Sequence, residues 1–134
     1  MAFLIGIVMA LGVGASATFL GLDRDRAFYP TVLIVIASYY ALFAVMGGSM
    51  EALLVESIVI IGFLLASAAG FKSSLWLVVA GLIAHGVFDF VHGHIISNPG
   101  VPTWWPSFCL AYDVGAGLYL AWLLWSSRLR ARPS

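Results

Sequence analysis

Apolar residues fall in five runs along the chain, at residues 2–20, 29–46, 51–70, 75–92 and 106–125. Each run approaches the length of about 20 apolar residues that a transmembrane helix needs. The pattern predicts an all-α, polytopic membrane bundle of five helices, with residues 1–134 forming a single domain. Polar residues and turn formers separate the runs. Asp23-Arg24-Asp25-Arg26 lies in the first connection, Gly47-Gly48-Ser49 in the second and Gly70-Phe71-Lys72-Ser73-Ser74 in the third. The fourth and longest connection runs from Ser97 to Pro106 and carries Asn98-Pro99-Gly100-Val101-Pro102. There is no internal repeat, low-complexity segment or second domain.

Composition narrows the class. Hydrophobic residues make up 63% of the chain and charged residues 9%, against about 45–50% and about 25% in soluble domains. A water-soluble globular protein, a disordered chain, a collagen-like chain and a disulfide scaffold are excluded. Cys109 is the single cysteine, so no internal disulfide can form. Formal net charge is zero, which leaves no basic face for nucleic acid.

The position of the charges supports five spans. With five spans, Arg24, Arg26, Lys72, Arg128, Arg130 and Arg132 all fall on one side of the membrane. The positive-inside rule makes that side cytoplasmic. The expected topology is N-terminus out and C-terminus in, in a plasma or inner membrane. Ala15-Ser16-Ala17 looks like a signal-peptidase site, but no basic segment precedes it. The first run therefore reads as an uncleaved anchor. Trp104 and Trp105 are expected to mark the outer interface, and Trp76, Trp122 and Trp125 the inner one. Gly6, Ala10 and Gly14 recur every fourth position, a close-packing face for a neighbouring helix. That face could serve a helix of the same chain, a homo-oligomer or a partner membrane subunit.

The chemistry concentrates in His85-Gly86-Val87-Phe88-Asp89-Phe90-Val91-His92-Gly93-His94. At about 100° per residue, His85, Asp89 and His92 share one stripe of the fourth helix, and His94 points away to the interface. Ionisable groups inside a membrane normally face the bundle interior and pair there. Depth supplies the partners. Asp89 lies ~7 Å and His85 ~13 Å below the outer end of the fourth helix. Glu56 is ~7 Å down the third helix and Asp113 ~10 Å down the fifth. Tyr39, Tyr40, Cys109 and Tyr112 fall in the same layer, and the Asn98–Pro102 loop is placed to cap it. Glu51 reads as a cap or interface residue of the third helix, and Cys109 as a small packing residue.

Imidazoles with carboxylates form a common ligand set for zinc and other divalent transition metals. His85, Asp89 and His92 are the candidate metal ligands. Asp113 and Glu56 are the candidates for a fourth ligand or a general base. The same groups could instead pair as a structural hydrogen-bond network, form a proton or ion pathway, or line a haem or quinone pocket. A bis-histidine haem is hard to build, because His85 and His92 share one helix face.

Other motifs are absent. There is no H-E-x-x-H zinc-protease sequence, no G-x-S-x-G elbow, no phosphate-binding P-loop and no paired Glu-x-x-His of a di-iron bundle. Gly12-Val13-Gly14 lacks the remainder of a dinucleotide motif. Three histidines are too few for a histidine-box desaturase. The mixture of intramembrane Asp and His loosely resembles the polytopic zinc hydrolases of the ceramidase and adiponectin-receptor type. Those carry two more spans and a His-x-x-x-His pair where this chain has His85-x-x-x-Asp89, so the family is not assigned.

Three functions are compatible with these residues. One is a small membrane enzyme with a zinc-like metal, acting on a lipid or other apolar substrate that arrives from the bilayer. Another is a proton, ion or small-molecule transporter subunit; the apolar inner halves of the helices weigh against a through-channel. The last is an accessory subunit of a larger membrane complex, without chemistry.

Overall fold

The computed structural model describes all residues, 1–134. It contains five α-helices and no strand: α1 (Ala2–Leu20), α2 (Phe28–Met46), α3 (Met50–Lys72), α4 (Trp76–Ile95) and α5 (Trp105–Trp125). All five are long and apolar enough to span a membrane, so the chain is a multi-pass membrane protein. Helices suit this solvent because every backbone N–H and C=O inside a span is satisfied within the same segment. The helix ends lie within a few residues of those expected from the apolar runs. Ser49 caps α3 by accepting from the Ala52 N–H. Glu51 therefore does not cap; it sits exposed in the first turn, where a carboxylate favours the helix dipole.

Alternating helix directions bring the first loop, the third loop and the C-terminal tail to one end. Arg26 ties them together, donating to the carbonyls of Arg130 and Ala131 at 2.6 Å and of Phe71 at 2.9 Å. It does so from a left-handed backbone conformation (φ 70°). Burial there lowers the Arg26 pKa from its ordinary value. All six basic side chains lie at this basic end. A buried cluster next to it, including Leu33, Leu75, Val78, Leu82, Leu120 and Leu123, joins α2, α4 and α5.

Helix α5 lies between α1 and α4, and α2 packs on α3 and α4. The α1–α5 contact uses the small-residue face. A Cβ on Gly6 would run into the Phe108 carbonyl, and one on Gly14 would meet the Tyr119 ring. Gly6, Ala10 and Gly14 are thus buried inside the chain. The expectation of a homo-oligomer or partner subunit on this face is corrected: α5 of the same chain covers it. A second correction concerns Trp105. Trp104 is exposed, as an interfacial residue should be, but Trp105 is 9% exposed. It packs edge-on against Tyr39 and Phe43. Trp76, Trp122 and Trp125 are exposed near the basic end.

Candidate functional site

Opposite the basic end, α2, α3, α4 and α5 each direct polar side chains into the bundle. Glu56, Asp89 and Asp113 are 0% exposed, His85 is 1% and His92 is 2%. Five ionisable groups are therefore removed from solvent with no lysine or arginine among them. Their placement follows from helix geometry. His85, Asp89 and His92 lie on the inward stripe of α4, and Glu56 and Asp113 approach from the helices on either side.

The groups sort into a triad and a pair. In the triad, His85 Nδ1–H donates to Asp113 Oδ2 at 2.7 Å and lies 3.2 Å from Asp89 Oδ2. One donor atom from each of His85, Asp89 and Asp113 falls within 4.8 Å of the others, a spacing that could hold a metal ion. In the pair, His92 Nε2–H donates to Glu56 Oε1 at 2.5 Å. So His85 and Asp89 come together as expected. Asp113, considered as a fourth ligand or base, lies in the triad itself. His92, considered as a ligand, is engaged by Glu56.

Tyr40 joins the two groups. Its hydroxyl donates to Asp89 Oδ1 at 2.5 Å, and its ring stacks on His92 with centroids 4.1 Å apart. Phe63 and Phe88 close around His85 and His92. Asn98 completes the site from the long loop, donating to Glu56 Oε1 at 3.0 Å and to the Tyr40 carbonyl at 3.1 Å. The loop can reach this far because Gly100 lies against the Phe43 carbonyl, where a Cβ would collide. The expected capping role of Asn98–Pro102 is thus realised by one side chain that sequence reasoning had not singled out. Its only signal was an amide beside two prolines in the one long connection.

Satisfaction of the polar atoms is incomplete. Glu56 Oε2, Asp89 Oδ2 and Asp113 Oδ1 are buried without a hydrogen-bond partner. Acceptors without donors in a low-dielectric interior are costly. Three carboxylates facing two imidazoles leave an excess of negative charge unless protons or a cation neutralise it. A polar cleft of about 320 Å³, lined in part by His92, Ser97, Asn98 and Thr103, lies beside the pair. The basic half is almost wholly apolar, as expected, with a few polar groups among its buried side chains. Thr18 donates to Asp23 at 2.7 Å and lies 3.0 Å from the Tyr119 hydroxyl. The Tyr29 hydroxyl and Ser67 are buried without partners. Thr18, Asp23 and Tyr119 are joined to one another, and none of these groups is hydrogen-bonded to the triad.

Comparison of the chain with protein-family models, with curated proteins and with solved structures finds no match.

Proposed function

We propose that this is a small membrane enzyme that holds one divalent, zinc-like metal ion through His85, Asp89 and Asp113 and acts on a lipid or other apolar substrate. The observation that carries this reading is the convergence of three donors within 4.8 Å, with two carboxylate oxygens among them unpartnered. One imidazole and two carboxylates suit a catalytic metal, which keeps a position open beyond its protein ligands. A cation also removes the charge imbalance. His85 would have to present an unprotonated ring nitrogen to the ion, since a ligating imidazole needs a lone pair. The ion would supply Lewis acidity. Glu56, held by His92 and Asn98, is left as the acid–base group, and Tyr40 orients Asp89 by its hydrogen bond.

Metal content of tag-free protein in detergent tests this. About one equivalent of zinc, iron or manganese is expected in the wild type, and loss of that equivalent in His85→Ala and in Asp113→Asn. Protein that stays metal-free after each ion is added back overturns the reading.

A proton-conducting role has one observation in its favour, the polar cleft beside His92 and Glu56. Against it stands the apolar cluster between the triad and the basic end. It predicts proton flux in liposomes that Asp89→Asn abolishes in metal-free protein.

A further inference from the structure

A groove of about 550 Å³ runs along the bundle surface between α1 and α2, floored by α5. Its volume falls within the roughly 300–1,000 Å³ typical of small-molecule pockets. Along α2 it is lined from Phe28 to Phe43, a length of ~22 Å within a hydrocarbon core of about 30 Å. Polar groups line it at two levels: Thr31 on α2 towards the basic end, and Tyr39 and Tyr112 together on α2 and α5. Each tyrosine lies ~10 Å below the helix end opposite the basic end. Neither shares the hydrogen bonds that tie Tyr40 and Tyr119 into the protein. At the same end, Trp105 lines the groove, and its indole N–H is buried without an acceptor. The two tyrosine hydroxyls lie inside hydrocarbon, where lipid tails offer no acceptor and such a group is costly.

We infer that the groove seats a neutral long-chain molecule whose ester, ketone or hydroxyl oxygen is received by Tyr39 and Tyr112. This rests on the reading of the neighbouring site as one that acts on an apolar substrate. A phospholipid in its ordinary position places its oxygens at the interface, above this level. The level also leads to the triad. Cys109 lines the groove and packs with Tyr40, Phe43 and Trp105, and Tyr40 donates to Asp89. The occupant's oxygen therefore sits one layer of side chains from the proposed metal ligands.

Quenching of tryptophan fluorescence by brominated probes tests the inference. Trp104 and Trp105 report on the groove, in full-length protein whose exposed Trp76, Trp122 and Trp125 are phenylalanine. The probes are a dibrominated octadecanoic methyl ester and the dibrominated alkane of the same chain length. The ester should quench saturably and bind more tightly than the alkane. Tyr39→Phe and Tyr112→Phe should each weaken the ester about fivefold, the value of one net hydrogen bond, and leave the alkane unchanged. Val35→Phe, which fills the groove from α2 without adding a fluorescent tryptophan, should remove saturable quenching by both. Quenching that rises without saturation, alike in all variants, means contact with bulk lipid only and overturns the proposal. Equal affinity for ester and alkane also overturns it. Metal plays no part in the readout, and protein treated with a chelator should bind the ester as untreated protein does. Failure of the metal reading and failure of the groove are thus separately visible.

Discussion

Near the basic end, α4 and α5 meet through Leu75, Val78, Leu82, Leu120 and Leu123. One or two turns further along, the same helices meet through His85, Asp89 and Asp113. Lipid tails are as apolar as leucine, so close packing rather than water exclusion holds the first contact. The second carries charged groups that are expensive at this depth. The helices already have a contact that joins them, and the Gly6–Gly14 face joins α1 to α5 with no charge at all. Association of helices therefore does not account for the polar half. Its unpartnered carboxylate oxygens are what the proposed metal would satisfy.

The largest expected effect comes from breaking the polar half unevenly. His85→Leu leaves Asp89 and Asp113 buried side by side, at a cost of about 3–5 kcal/mol in metal-free protein. Removing the whole network with His85→Leu, Asp89→Leu, Asp113→Leu and Tyr40→Phe should recover most of that loss, because a buried ionic cluster is often replaced by apolar residues at little cost. Reversible unfolding in mixed micelles measures both. A combined variant as unstable as His85→Leu alone would mean that the polar network builds the bundle, and the contrast between the halves would fail.

Next in size is Leu120→Ala in the apolar half. Leu120 is 0% exposed, and its truncation should cost about 2–3 kcal/mol, the lower part of the range for such changes, because lipid supplies no water-transfer term. Metal content per folded molecule should stay at the wild-type value. A fall in metal alongside stability would show that the two halves are coupled.

The ends and number of the helices were legible in the sequence because the bilayer imposes one length and one composition on every span. That Glu56, His85, Asp89 and Asp113 share a level along the bundle was legible too, since a rise per residue converts position into height on each helix. How the helices are rotated and which ones are neighbours was not. That is why His92 faces Glu56 while Asp113 faces His85, a partition that spacing along one helix cannot supply. Trp105 was misplaced on similar grounds. Side by side in sequence, Trp104 and Trp105 look like one interfacial pair, yet one position along a helix turns a side chain by about 100°, from lipid into the core.

Tyr40→Phe sharpens the comparison at a single atom. It removes the donor to Asp89 Oδ1 and keeps the ring stacked on His92. Stability should fall by about 1–2 kcal/mol, the cost of a buried acceptor left unmade. Metal affinity should fall 10- to 100-fold, as for other residues that orient a ligand. Competition with a chelator of known affinity reads the second effect apart from the first. If affinity is unchanged while stability drops, the Tyr40 hydroxyl serves stability alone and Asp89 is oriented for the metal by His85.

The smallest expected effect is at the rim, in Asn98→Ala. Asn98 gives Glu56 one of its two donors and also holds the Tyr40 carbonyl. Partly buried and beside a polar cleft, it can be replaced by water, so the stability cost should be near 0.5–1 kcal/mol. The local consequence should exceed the global one. Releasing the loop between α4 and α5 exposes the His92–Glu56 pair to solvent without touching the triad. Hydrogen exchange at backbone amides 96–101 should therefore speed up while amides of α4 near His85 keep their protection, and metal content should be unchanged. Faster exchange at His85 as well would mean that the loop holds the triad closed, and that the polar half behaves as one unit rather than as a pair beside a metal centre.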